Sequence, residues 1–296
     1  MPEFPLNVFP FGAFPLGAFL ASLPWVAAGL VVLLAVTYAV AVRQGRHSVI
    51  DTVWGLGFVV VAFISWFLSA GHGDGGRRLL LLALVAVWGI RLALHIGLRA
   101  RGGHEDPRYV DMLSSAPGSR NIYALRKVYL PQGVILFFVS LTVQVGMFST
   151  GSLGWLAWLG IMFWLLGFVF ETVGDWQLSQ FKADPSRRGT VLDTGLWRYT
   201  RHPNYFGDAA VWTGIFLVAA DSWPGVLTVL SPVLMIWLLA GKSGKPLTEK
   251  AMSARPGYKE YVESTSGFLP LPPRRPRGGG HRQGKHQPGG HQPGGR

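Results

Sequence analysis

Residues 196–208, LWRYTRHPNYFGD, set two arginines, a histidine, an asparagine, two tyrosines and an aspartate between two long apolar segments. So many hydrogen-bonding groups at the mouth of an apolar helix must meet water, a ligand or a partner at that depth. Pro203 suits the first turn of a helix, whose free N–H groups and positive dipole end form an anion site. Arg198 and Arg201 can hold a phosphate bidentately, His202 and Asn204 add directional donors or acceptors, and Tyr205 adds a ring face or a hydroxyl. An interfacial belt explains the Arg and Tyr residues. It does not explain His-Pro-Asn, or Asp208 one turn inside the apolar helix.

Two other clusters can carry chemistry. Glu171 and Asp175, spaced i, i+4, end an apolar stretch and are followed by Lys182 and the pair Arg187-Arg188. Alone, they read as solvated helix-end carboxylates with lipid-anchoring cations. Arg91 and His95, again i, i+4, lie within a third apolar stretch beside Trp88, with Asp51 the expected charge partner of Arg91. An intramembrane Arg and His face a cavity or each other's helices, so this cluster either braces the bundle or grips a substrate carbonyl or acidic group.

The elements that position these groups are apolar runs: Pro24–Val42, Thr52–Ala70, Leu79–Gly97, Leu130–Phe148, Leu153–Val173, Phe206–Ala220 and Trp223–Ala240. The first five approach the ~20 residues that cross a bilayer as a helix. The last two are shorter, and Pro224 and Pro232 punctuate the second. The expected fold is an all-α polytopic membrane bundle of about six or seven transmembrane helices. Of the 27 Lys and Arg residues, all but Arg77, Arg78 and Arg91 fall on one side of that topology. The basic side is expected to be cytoplasmic and the N-terminus outside. The net charge of +12 then faces anionic lipid and is no argument for nucleic acid.

With no cysteine, thiol catalysis and disulfides are excluded. Residues 1–23 lack a basic n-region and read as an irregular or interfacial lead-in; 24–272 form the membrane domain; 273–296, rich in Pro, Gly, Arg, His and Gln, cannot bury a core and read as disordered. Its histidines are not assigned a metal. GHGDGG, residues 71–76, lacks the strand of a dinucleotide fingerprint, and GKS at 241–243 lacks the first glycine of a P-loop. The polar segment 241–270 reads as a helix broken at Pro256-Gly257.

GLWRYTRHPNYFGD, preceded by ETVGDWQLSQFKADPSRRG and followed by SGKPLTEKAMSARPGYKEYVESTSGFLP, resembles the bacterial DUF1295 family of the steroid 5-alpha-reductase C-terminal-domain superfamily. DTVWGLGF, WGIRLALHI and HEDPRY are similar to its N-terminal half, so the resemblance covers roughly residues 43–272. It implies a helical membrane fold, expected in a bacterial inner membrane, whose last helices and loops enclose NADPH. By motif position it implies cofactor contacts from Asp175, Lys182, Asn204, His202, Tyr205, Ser243, Glu249 and Arg108. Asp208 stands where the family usually has Glu. The family's paired Glu and Tyr that polarise a steroid have no clear match; Asp51, Arg91, His95 and Tyr109 are the candidates. Reduction of an enone needs a proton donor at the carbonyl, which His95 or Tyr109 would supply with Arg91 as an electrostatic aid.

The expected activity is thus NADPH-dependent reduction of the C=C bond of a hydrophobic α,β-unsaturated ketone drawn from the bilayer. Lys182, Arg187, Arg188, Arg198 and Arg201 would meet its phosphates. One alternative is an S-adenosylmethionine-dependent lipid or prenyl-cysteine methyltransferase, using Glu171, Asp175 and Glu249. Another is a non-catalytic lipid-binding membrane protein. No protein partner is expected.

Overall fold

In the computed structural model, which describes residues 14–102, 104–242 and 244–274, the chain is a helical bundle with no strand among those residues. The first helix, α1 (Leu16–Gln44), begins ahead of the expected Pro24, which sits inside it, and ends at Gly45 in the left-handed region (φ 65°). At the ninth position of α1, Pro24 lacks the N–H that would bond the Leu20 carbonyl, so the helix runs through the proline at the loss of one internal hydrogen bond. Next come α2 (Val49–Leu68) and α3 (Gly75–Arg99), the latter capped by Asp74, whose carboxylate accepts the Arg77 N–H at 2.8 Å. Asp106 caps the short α4 (Pro107–Ser114) in the same way, with proline in its first turn.

The fourth crossing is composite. It runs from α5 (Arg120–Ala124) through a π-helical turn at Leu125–Tyr129 into α6 (Leu130–Val139), and after a break at Ser140 into α7 (Leu141–Phe148). Then follow α8 (Trp155–Ala183) and α9 (Pro203–Ala220). The last crossing joins α10 (Trp223–Val226), α11 (Leu230–Trp237), a second π-helical turn at Leu238–Lys242 and α12 (Lys245–Met252). The expected break before Gly257 is present, with Gly257 at φ 76° leading into α13 (Tyr258–Ser264).

Six helices are long and apolar enough to cross a membrane: Leu16–Gln44, Val49–Leu68, Gly75–Arg99, Arg120–Phe148, Trp155–Ala183 and Trp223–Met252. This is an integral multi-pass membrane protein. The remaining long helix, α9, is polar at its start and lies at the centre; 12 of its 18 residues are buried.

Glycines seat α9 there. Gly160, Gly167 and Gly174 on α8 and Gly207 and Gly214 on α9 recur every seven residues, two helical turns, and so line one face of each helix. A Cβ on Gly214 would lie 2.5 Å from the Gly160 carbonyl oxygen, and one on Gly160 would lie 2.6 Å from that of Gly214. Only glycine permits this backbone approach. Behind it, Phe58, Trp88 and Trp212 form an aromatic core, with Trp212 at 4.4 Å from Phe58 and 5.4 Å from Trp88 between ring centroids.

At the end away from the basic loops, fully buried Arg77 explains its own position. It donates to the carbonyls of Val218 (2.5 Å), Gly151 (2.9 Å) and Ser152 (3.1 Å) and pairs with Asp221 at 3.2 Å. It ties the α7–α8 and α9–α10 connections together. At the basic end, residues 261–271 strap the loop before α9. Tyr261 Oη donates to Trp197 O, Thr200 Oγ1 to Phe268 O, and the Leu271 N–H to Tyr199 O.

Candidate functional site

Because α8 and α9 touch backbone to backbone, the carboxylates of one face the polar first turns of the other. Arg91 of α3 reaches into this seam: Nη1 donates to Glu171 Oε1 (2.8 Å), and Nη2 to Asp175 Oδ2 (2.7 Å) and the Glu171 carbonyl (3.1 Å). Trp88, one turn away, donates its indole N–H to Glu171 Oε2 at 2.8 Å. Asn204 Nδ2 donates to Asp175 Oδ1 at 3.2 Å, and His95 Nε2 stands 3.7 Å from Asp175 Oδ2. Glu171, Asp175 and Asp208 are all buried, and Asp208 Oδ1 has no hydrogen-bond partner among the described residues. The sequence clusters at 91–95, 171–175 and 204–208 are therefore one polar core.

Asp51 is not the partner of Arg91, which corrects the expected pairing. On the first turn of α2, Asp51 accepts the Tyr109 hydroxyl at 2.6 Å and pairs with Arg108 at 2.9 Å. Burial, reinforced by Asp51, pushes the Tyr109 phenol well above its ordinary value, so it stays a donor to that carboxylate. Glu105 beside them caps α2: its carboxylate accepts the His47 and Ser48 N–H groups at 2.6 and 2.8 Å. Burial raises Glu105, but hydrogen bonds from Ser48 and the backbone outweigh it and hold the group below its ordinary value.

The expected anion array divides into separate environments. Arg201 is not free for a phosphate, because its side chain is spent on Glu249 (2.7 Å) and on the Thr265 (2.6 Å) and Val262 (3.2 Å) carbonyls. His202, 3% exposed, lies 3.3 Å from Glu249 and stacks on Tyr205. The Tyr205 hydroxyl meets Thr248 at 3.1 Å. These residues bind α9 to the C-terminal segment and position Asn204. Arg187 pairs with Asp184 at 3.1 Å and does not join Lys182. Arg198 is exposed, and Arg108 is held by Asp51 and Asp106. Ser243 lies outside the described residues.

Two cations absent from the expected set complete the mouth. Lys182 is within electrostatic reach of Arg99, Arg255 and Asp175, and His95 is within reach of Asp175, Arg91, Arg99 and Lys182. Arg99 continues the i, i+4 ladder of Arg91 and His95, a spacing that could have revealed it; Arg255, on a distant loop, carried no such signal. None of Arg99, Lys182 and Arg255 enters an ion pair among the described residues. The site thus grades from buried carboxylates to a cationic rim. An apolar cavity of about 820 Å³, lined by residues such as Phe19, Phe138, Leu227 and Trp237, shares no residue with this polar core.

Residues 37–265 match the family model described as a protein of unknown function, DUF1295. An uncharacterized protein of Schizosaccharomyces pombe is 24% identical over 264 residues, covering 79% of this chain and 76% of that protein. No solved structure matches. With the family match running from the last third of α1 to the end of α13 and containing every residue of the polar core, the chain belongs to the DUF1295 family.

Proposed function

We propose that this protein is an NADPH-dependent membrane reductase of a hydrophobic enone, with the cofactor entering from the cytoplasmic side. The carrying observation is that Lys182 on α8 lies within electrostatic reach of Asp175 and of two further cations, Arg99 and Arg255, from separate segments. Cations outside any ion pair among the described residues, Arg255 also donating to Thr190 O at 3.2 Å, suit a phosphate-rich ligand. The buried end suits its other terminus: Asp208 Oδ1, without a hydrogen-bond donor among the described residues, can accept a carboxamide N–H.

When bound, the reduced nicotinamide supplies the hydride. The chain's residues do the remaining work. Arg91 fixes Glu171 and Asp175, and Asp175 in turn holds Asn204. Asp175 also faces His95, which is the better proton donor to a developing enolate: it opens on the polar core, whereas Tyr109 is committed to Asp51. Arg91, with its charge already shared by two carboxylates, is a positioning residue.

A second reading has its own observation. Three carboxyl groups, Glu171, Asp175 and Asp208, crowd one guanidinium, and that acidic cluster suits the sulfonium of S-adenosylmethionine. Thermal melting of the detergent-purified protein separates the two. NADPH at about 100 times its Kd should stabilise by about 2.7 kcal/mol, and Lys182→Ala should remove most of that shift. A shift with S-adenosylmethionine alone would overturn the reductase in favour of the methyltransferase.

A further inference from the structure

We propose that the basic end of α8 carries a second site, for the zwitterionic headgroup of an amine-bearing phospholipid, held between Asp184 and Arg187. The site does not depend on the proposed reductase activity.

Membrane depth comes first. Trp155 and Trp158 at the start of α8 and Trp176 near its end are each more than half exposed. At 1.5 Å per residue, Trp176 lies about 27 to 32 Å along the helix from the other two. That separation matches the ~30 Å hydrocarbon core, and exposed tryptophans mark its two boundaries. The turns after Trp176 therefore lie among headgroups.

A cavity of about 390 Å³ opens at that level, lined by Trp176, Gln177, Gln180, Phe181, Asp184 and Arg187 and closed by the 192–194 loop. Asp175 and Lys182, seven residues apart, share the face toward the polar core, whereas Gln177, Gln180 and Asp184 fall on the opposite face. The cavity is thus distinct from the polar core.

Its polar groups have capacity to spare. Arg187 spends Nε on Asp184 at 3.1 Å and lies 5.7 Å over the Phe181 ring, while its two terminal nitrogens make no hydrogen bond among the described residues. They form the fork that a phosphodiester accepts. Asp184 Oδ1 is taken by the Ser186 N–H and hydroxyl, but Oδ2 meets only Arg187. An ammonium can share that oxygen. Gln177 uses its carbonyl for the Leu196 N–H and keeps its amide as a donor. Because Arg187 and Asp184 are about half exposed, their mutual pair is weak and exchangeable. An anionic headgroup would be repelled by Asp184, and a choline headgroup has no N–H for it.

The test uses full-length, delipidated protein in detergent, melted with short-chain phosphatidylethanolamine, phosphatidylcholine, phosphatidylglycerol or inorganic phosphate. Phosphatidylethanolamine should raise the melting temperature with an apparent affinity at least tenfold tighter than the other three. Asp184→Asn and Arg187→Gln, each melting normally without lipid, should lose that preference, and Lys182→Ala should keep it. Equal stabilisation by phosphatidylglycerol or by free phosphate, or a preference that survives both variants, would overturn the proposal.

Discussion

Taking the His202 imidazole out of water lowers its pKa to about 4, against the pull of Glu249 at 3.3 Å. In the unfolded chain the same ring protonates near 6.5. Between those values the unfolded state binds more protons, so His202 contributes its full stability above about pH 6.5 and loses it as pH falls toward 4. His202→Gln keeps a polar group near Glu249 but cannot titrate. Melting curves across this range should show wild type losing up to about 3 kcal/mol relative to the variant. Parallel pH profiles would mean that the ring is not held neutral by burial. At this scale the sequence was a partial guide. The density of polar groups at 196–208 marks a special place, but no local pattern shows Glu249 closing on His202 and Arg201 from 47 and 48 residues away. Arg201, His202, Tyr205 and Glu249, read as ligand contacts, tie α9 to the C-terminal segment, and the cation at Arg255 went unread.

Helix pairing sets where those residues meet. Adding bulk at Gly214 would drive α9 away from the Gly160 carbonyl and the Trp164 backbone, and would carry Asn204 and Asp208 away from Asp175 and Glu171. Gly214→Val should therefore cost about 3 kcal/mol or more in thermal melting and weaken ligand stabilisation along with it. Gly17→Ala, where a Cβ meets nothing within 4 Å, should be neutral or slightly stabilising. A neutral Gly214→Val would mean that the α8–α9 seam is looser than a backbone contact. The spans themselves are legible because apolar length is the signal, and the seven-residue glycine spacing is visible in the sequence. The partner of each glycine face is not, since spacing defines a face without saying what covers it. Nor are the π-helical turns at Leu125–Tyr129 and Leu238–Lys242 legible, because one inserted residue leaves apolarity unchanged.

For the molecule as a whole, function hangs on sidedness. The polar core lies toward the end where α3, α8 and the loop before α9 carry the cations, and the proposed nucleotide cofactor would have to reach it from that side. The positive-inside rule predicts that this end is cytoplasmic. Six helices are long and apolar enough to cross, and α9 as a seventh crossing predicts that the start of α1 and the end of α12 lie on opposite sides. Because the chain has no cysteine, single introduced thiols report without background. His72→Cys, in the exposed α2–α3 connection, should react with an impermeant maleimide on intact cells. Arg188→Cys, exposed after α8, should react only once the membrane is opened. Labelling of Arg188→Cys from outside would turn the basic end outward and exclude NADPH from the cleft. Labelling of both from outside would require an even number of crossings between them, so that one of α3, the Arg120–Phe148 helix or α8 would have to re-enter rather than cross.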